Sequence, residues 1–387
     1  MKETTARNER SGEGGALILP ALPQQEYEVA RRTSRIVSLD LLRDIAAILV
    51  VASHFAVFVF DDQRGWALDA LRALGAPAVD IFMVLSGYVV THAWLRQSDR
   101  HGTSGIFITG RMLRLMPTYL VSFAVAMVAW GIVSSLGGSG HSALERMAVP
   151  LTVDEIQANL YPLWRNNGSL VLNPPWWTLQ VEVIAMLITP LIVAAATKAG
   201  SFAIITWQFA IAFLVTSAVT LGMTSALQNI LLVTVLSGMW LALREDDENP
   251  PLLDRAPPAI IGVAAAAFLG GSVIAIVQGQ DVLITRFIGM IGALLLIAAI
   301  RRIDLSHRFS PRMGRSVGQI SYPLYVLHYP IIAASCALAI ALHADLALGA
   351  SIGVAVSLIL AWVFSQTLER AAVTHAGEFV SNQLTRP

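Results

Sequence analysis

Ten apolar runs, at about 36–60, 74–95, 112–136, 176–197, 202–220, 226–243, 257–277, 282–300, 318–342 and 347–369, limit what this chain can fold into. Each approaches the roughly 20 residues that an α-helix needs to cross a bilayer. Spanning runs that recur across nearly the whole sequence specify an all-α, polytopic integral membrane protein with about ten transmembrane helices. The fifth and sixth runs are the least well separated, because 202–243 has only a short polar break near Thr224. Of the 387 residues, 55% are hydrophobic and 13% charged, against about 25% charged in soluble domains. The formal net charge is +0, so nothing points to a nucleic-acid partner; the lipid bilayer is the partner that composition demands. A single cysteine, Cys336, rules out an intrachain disulfide.

Loop charge sets the expected orientation. Arg31, Arg32 and Arg35 precede the first run; Arg96, Arg100, Arg111 and Arg114 follow the second; Arg301, Arg302, Arg308, Arg312 and Arg315 precede the ninth. The alternate loops are poor in basic residues, so the basic loops and both termini are expected in the cytoplasm. Residues 1–34 are polar, lack the apolar core of a signal peptide and read as a disordered cytoplasmic tail. A transmembrane domain over 35–370 and a cytoplasmic C-terminal tail over 371–387 complete the expected organisation.

The first run carries Arg43 near its start and His54 deeper in. Eleven residues apart, about three helical turns, the two share one helix face with a rise of about 16 Å between them. An ionisable group within a spanning helix usually faces a cavity or a partner. Arg111 and Arg114, spaced i, i+3 at the cytoplasmic mouth of the third run, have two roles open to them: positive-inside anchors, or a bidentate clamp for phosphate oxygens. Pro117 and Tyr119 follow. Glu182 is an isolated carboxylate in the fourth run, equally suited to chemistry or to pairing with an arginine elsewhere. Trp176 and Trp177 close the long external segment 137–175, as an interfacial belt or as stacking platforms for a sugar. Tyr325 and His328 share a face of the ninth run, where a lone histidine suits a hydrogen-bonded core position as well as an active site. Asp80 opens the second run, and Ser86-Gly87 within it provides a packing notch. No metal-ligand spacing, Walker loop or dinucleotide fingerprint is present.

Together these stretches resemble the membrane acyltransferase-3 family, which holds O-acetyltransferases of bacterial polysaccharides and lipopolysaccharide. The resemblance runs from about Ser34 to Arg370. It rests on Arg43, ten intervening residues and His54 in a Ser-Leu-Asp-Leu-Leu-Arg frame; on Phe-Met-Val-Leu-Ser-Gly-Tyr88; on Arg111-x-x-Arg114 with Pro117 and Tyr119; on Trp-Thr-Leu-x-x-Glu182; and on Ser-Tyr-Pro-Leu-Tyr-x-x-His328. Two positions depart from the family pattern. Asp44 replaces a common glycine and is placed to pair with Arg43, and Glu369-Arg370-Ala371 lacks a frequent proline.

The resemblance implies an O-acyltransferase of the bacterial inner membrane that uses cytoplasmic acyl-CoA, acetyl-CoA above all, as donor substrate and no metal. Its acceptor would be a hydroxyl of a carbohydrate or glycoconjugate. An imidazole titrates near pH 6.5, which suits proton transfer at about neutral pH. His54 is thus expected as general base or as acyl carrier, with Arg43 and Glu182 as further catalytic groups. Arg111, Arg114 and Tyr119 are expected at the donor, and Trp176, Trp177 and His328 at the acceptor. Two rivals are a transporter with a His54–Glu182 proton relay, though no repeated halves are visible, and a non-catalytic partner in polysaccharide assembly.

Overall fold

A computed structural model of the chain describes residues 24–98, 103–137, 141–160, 172–199, 226–245, 252–303 and 318–384. Among these residues there are helices and turns but no strand: α1 (Gln24–Val59), α2 (Trp66–Ala73), α3 (Gly75–Ser98), α4 (Ser104–Leu136), α5 (Ser142–Met147), α6 (Val153–Leu160), a 3₁₀ turn (Pro174–Trp176), α7 (Trp177–Ala199), α8 (Ala226–Leu243), α9 (Leu252–Arg255), α10 (Pro258–Val277), α11 (Val282–Ile300), α12 (Ser321–Ala341), α13 (Leu346–Phe364), a π-helical turn (Ser365–Glu369) and α14 (Arg370–Leu384). Eight helical stretches are long and apolar enough to cross a membrane, and α8 contains a shorter apolar helix. Those nine coincide with every expected run except 202–220, which lies outside the described residues.

The boundaries shift where local chemistry extends a helix. α1 begins at Gln24, inside the segment expected as a tail. α4 starts at Ser104 because the Thr103 side chain accepts a hydrogen bond from the Ile106 amide and caps it. The loop expected at 61–73 contains α2, where Arg72 pairs with Asp69 one turn earlier, 2.7 Å away. The expected C-terminal tail is a helix, α14, that packs along α4.

Close approach holds the bundle together. α3 and α8 cross at Gly87 and Gly238: a Cβ on either glycine would run into the backbone carbonyl of Val235 or Val84 on the other helix. The Ser-Gly notch is therefore a packing device at Gly87, as small residues are between membrane helices. α3 also meets α11 through Asp80 and Arg286, both buried, with guanidinium and carboxylate 3.4 Å apart. Arg286 also donates to the Ala76 carbonyl at 2.7 Å. α12 packs against α13, α4 and α1 and so lies at the centre of the bundle.

In the 3₁₀ turn before α7, Pro175 and Trp176 are buried, although the sequence placed Trp176 at the external surface. The Asn173 side-chain amide donates to the Val326 carbonyl of α12 at 2.7 Å, and Trp176 is wholly enclosed. Irregular backbone is tolerated there because protein, not lipid, surrounds it. α7 therefore starts inside the bundle, which brings Glu182 toward the arginines of α4.

Candidate active site

Helices α1, α3, α4, α7 and α12, together with the turn before α12 and the π turn, line a chamber of about 870 Å³. Arg43, Arg111 and Arg114 face it, and so do two carboxylates, Glu182 and Glu369. Phe82, Met83, Val89, Leu115 and Leu179 supply apolar wall; Ser86, Thr178, Ser321, Tyr322 and Tyr325 supply hydroxyls. Three arginines and two acidic side chains thus meet across a largely apolar lining.

The local backbone explains how these groups are held. Arg43 pairs with Asp40 at 3.2 Å, one turn earlier on α1. Asp44, expected beside Arg43, instead accepts the Gly318 amide at 2.7 Å and ties α1 to the turn before α12. Gly318 has a φ of +81°, and a Cβ there would sit 2.5 Å from Asp40 Cβ. Both constraints call for glycine. The Tyr322 hydroxyl donates to the Leu115 carbonyl at 3.0 Å, joining α12 to α4. The Tyr325 hydroxyl accepts from Thr178 at 2.9 Å and donates to the Pro175 carbonyl at 3.1 Å. Arg111 lies over the Phe107 ring, 5.7 Å from its centroid. Glu369 is delivered by the π turn, a distortion often found at functional sites. One of its oxygens is buried with no hydrogen-bond partner among the described residues, which leaves it open to a polar group within the chamber.

Beyond Tyr325 stands a histidine pair. The Tyr325 ring centroid is 6.1 Å from that of His328, and His328 Nε2 is 2.9 Å from His54 Nδ1. His328 Nδ1 is 3.0 Å from the Leu324 carbonyl. A carbonyl only accepts, so His328 Nδ1 carries the proton. A neutral His328 then offers Nε2 as an acceptor, and His54 Nδ1–H donates to it. This chain leaves the lone pair of His54 Nε2 free, with no partner among the described residues. His328 is fully buried, whereas His54 is partly exposed. The Tyr329 ring meets His54 edge-on at 5.2 Å and limits its rotation. Fixed tautomer, fixed orientation and an open ring nitrogen are what a general base or an acyl-accepting nucleophile needs.

The far side of the pair is capped. His141 Nε2 donates to the Phe58 carbonyl at 2.6 Å, and its ring stacks on Phe58. Asp61 accepts from the Ser142 amide and hydroxyl at 2.8 and 2.5 Å. Burial pushes the Asp61 carboxyl up, but the Ser142 hydrogen bonds and the charges of His141 and Arg146 hold it below the usual carboxylate value.

The structure thus brings Arg43, Arg111, Arg114 and Glu182 into one chamber and joins His54 to His328 beside it. Glu182 faces the arginines across the chamber. Tyr119, expected at the donor, is buried, and its hydroxyl donates to the Asn159 carbonyl. It does not line the chamber. Trp176, expected at the interface or against a sugar, is packed between Tyr119 and Phe123 and presents no face to solvent. Trp177 is partly buried against the core. Glu369 and Tyr322 were not expected at the site. An isolated carboxylate at the end of an apolar run, the feature that singled out Glu182, also marks Glu369.

Comparison with known proteins finds relatives along part of the chain. The chain is 31% identical over 164 residues to the acyltransferase MdmB of Streptomyces mycarofaciens, an alignment covering 41% of this chain and 40% of that protein. It is 29% identical over 180 residues to nodulation protein 10 of Rhizobium leguminosarum bv. viciae, covering 44% and 46%. It is 27% identical over 169 residues to protein 2 in the picA locus of Rhizobium radiobacter, covering 39% and 78%. The alignments span less than half the length of the first two relatives. No solved structure matches. The family model for the acyltransferase-3 acyltransferase domain matches residues 36–366, nearly the whole chain, and the protein belongs to that family of membrane acyltransferases.

Proposed function

We propose that the protein transfers an acyl group, acetyl above all, from cytoplasmic acyl-CoA to a hydroxyl of a carbohydrate or glycoconjugate, with His54 as the catalytic group. The observation that carries this is the hydrogen-bond chain from the Leu324 carbonyl through His328 to His54, which leaves His54 Nε2 free. Arg43 lies on the same helix face about 16 Å away and lines the arginine chamber. That separation is comparable to the reach of an extended pantetheine arm. Phosphates held at Arg111 and Arg114 would therefore leave the thioester free to approach the imidazole.

Two routes use the same nitrogen. In the first, Nε2 takes the acceptor hydroxyl proton as the oxygen attacks the thioester carbonyl; the C–S bond breaks, and the thiolate leaves and is protonated. In the second, Nε2 attacks the thioester and expels the thiolate. The acyl-imidazole then passes its acyl group to the acceptor oxygen, and the acceptor proton leaves. The acceptor would approach from the end of the bundle capped by His141 and Asp61, opposite the arginines. The basic loops support a cytoplasmic arginine end and an inner-membrane location.

The test is acyl transfer by purified protein, read as CoA release and as a mass shift on cell-envelope glycans. His54→Ala is expected to abolish both while the protein still inserts and remains monodisperse in detergent. Normal transfer by His54→Ala overturns the assignment. Mass spectrometry of rapidly quenched protein separates the routes, since only the second adds an acyl mass to the peptide containing His54.

A further inference from the structure

Length alone does not bring a donor to His54. The Tyr325 side chain lines the chamber, and its ring centroid stands 6.1 Å from that of His328. Phe82 also lines the chamber and meets the Tyr325 ring edge-on at 5.3 Å. Phe82 packs against both apolar cores of the bundle: the one that holds Tyr325, and the one that holds Tyr329, the neighbour of His54. The rings of Tyr325 and Phe82 therefore form a partition between the chamber and the histidine pair.

A latch fastens this partition. The Tyr325 hydroxyl accepts from Thr178 at 2.9 Å and donates to the Pro175 carbonyl at 3.1 Å. The catch on the α7 side is held in place. Pro174 and Pro175 restrict its backbone, and the Asn173 amide ties the turn to the Val326 carbonyl of α12 at 2.7 Å. A turn anchored in this way does not follow the ring, so the Tyr325 side chain leaves its place only by breaking both hydrogen bonds.

We infer that Tyr325 is a gate, closed in this structure and displaced by the acyl end of the donor as it passes from the chamber to His54. This rests on the acyl-CoA reading above and adds a step to it: part of the donor's binding energy is used to release the latch. A ligand that needs the open form binds more weakly in proportion to how little of the protein is already open. The latch therefore weakens only those ligands that reach the partition. A ligand that stops short of it binds the closed form and is unaffected.

Two substitutions release the latch without stranding the Pro175 carbonyl. Tyr325→Phe keeps the ring, and the Thr178 hydroxyl, 3.1 Å from that carbonyl, bonds to it instead. Thr178→Val keeps the side-chain shape and leaves Tyr325 bonded to Pro175. Calorimetry on the unmodified protein and on each variant uses two probes. One is a non-hydrolysable acetyl-CoA analogue. The other is the adenosine bisphosphate that ends coenzyme A, without the pantetheine arm that would reach the partition. One hydrogen bond shifts an equilibrium by roughly two- to tenfold. Tyr325→Phe is therefore expected to bind the analogue about tenfold more tightly than the unmodified protein, and Thr178→Val about threefold more tightly. Binding of the bisphosphate is expected to be the same in all three proteins. If the unmodified protein binds the analogue and Tyr325→Phe binds it no more tightly, the gate is overturned while the donor reading stands. Equal gains for the analogue and the bisphosphate also overturn it, because the effect would not depend on reaching the partition. If the unmodified protein does not bind the analogue, the donor reading falls and the gate falls with it.

Discussion

His54 Nδ1 lies 2.9 Å from His328 Nε2, joining α1 to α12 across 274 positions of sequence. His328 thereby acts on its neighbour by fixing the proton on Nδ1 and the free pair on Nε2. A side chain that still accepts a hydrogen bond at this place should preserve part of that effect. His328→Gln is expected to retain more activity than His328→Phe, and His328→Phe to lose kcat by about 10²-fold or more, within the range of general acid–base contributions. The donor KM should change little. Equal loss in both variants, or a loss confined to donor KM, contradicts the positioning role.

Arg111 and Arg114 are expected to act on the donor and not on the acceptor. Arg114→Ala should raise the donor KM by about tenfold or more, as loss of a charge-assisted contact does. Arg111→Lys should also impair binding, because an ammonium cannot reproduce a planar bidentate fork. Donor titrations at fixed acceptor, and the reverse, provide the check. A change only in acceptor KM would count against the assignment.

Asp80 and Arg286 form a buried ion pair that holds α3 to α11. Removing one partner strands a charge, so Arg286→Ala is expected to destabilise the protein by about 3–5 kcal/mol. Asp80→Ala combined with Arg286→Ala should cost less than Arg286→Ala alone, since no lone charge remains. Thermal unfolding in detergent reports this difference. A double variant less stable than either single one would show that the pair is not the reason for the loss.

Glu245, in the turn after α8, gathers three further elements at the arginine end. Tyr88 donates to it at 2.7 Å, His92 lies 3.0 Å away, and Arg301 pairs with it at 2.7 Å while also holding Asp254. Burial pushes the carboxyl up, but hydrogen bonds from His92 and Tyr88 and the charges of His92 and Arg301 hold it down at about 2, below the usual 4.5. A carboxylate depressed on folding stabilises fully above its usual value, and that contribution is lost as pH falls through the folded value. The stability gap between the unmodified protein and Glu245→Gln is therefore expected to be widest above pH 4.5 and to close toward pH 2. Melting curves across that window test this, and a gap that stays constant through it refutes the role.

What the sequence made legible follows from what sequence encodes. Hydropathy marks spans because each span must bury its own backbone polar groups, and the 3.6-residue period puts Arg43 and His54 on one face. Arg111 and Arg114 were visible as a pair for the same reason. The partnership of His54 with His328 was not, because no local period records which helices meet. The place of Glu369 opposite the arginines was hidden too, since it depends on a π turn; for Glu182 an arginine partner was one of two open readings, but which helix would supply it was not legible. Trp176 shows the converse: tryptophan beside an external segment suggests an interface, but the Asn173 bond to Val326 draws the turn into the bundle. Glu245 escaped notice because acidic residues carry little weight in orientation.

The most direct measurement is a structure determined by electron cryo-microscopy with a non-hydrolysable acyl-CoA analogue bound. The expected result places the carbon that replaces the thioester carbonyl carbon about 3–3.5 Å from His54 Nε2, at near-attack distance, with the phosphates beside Arg111 and Arg114. A well-ordered analogue whose reactive carbon rests beside Glu182, with His54 closed off from it by Tyr325, would contradict the assignment of His54.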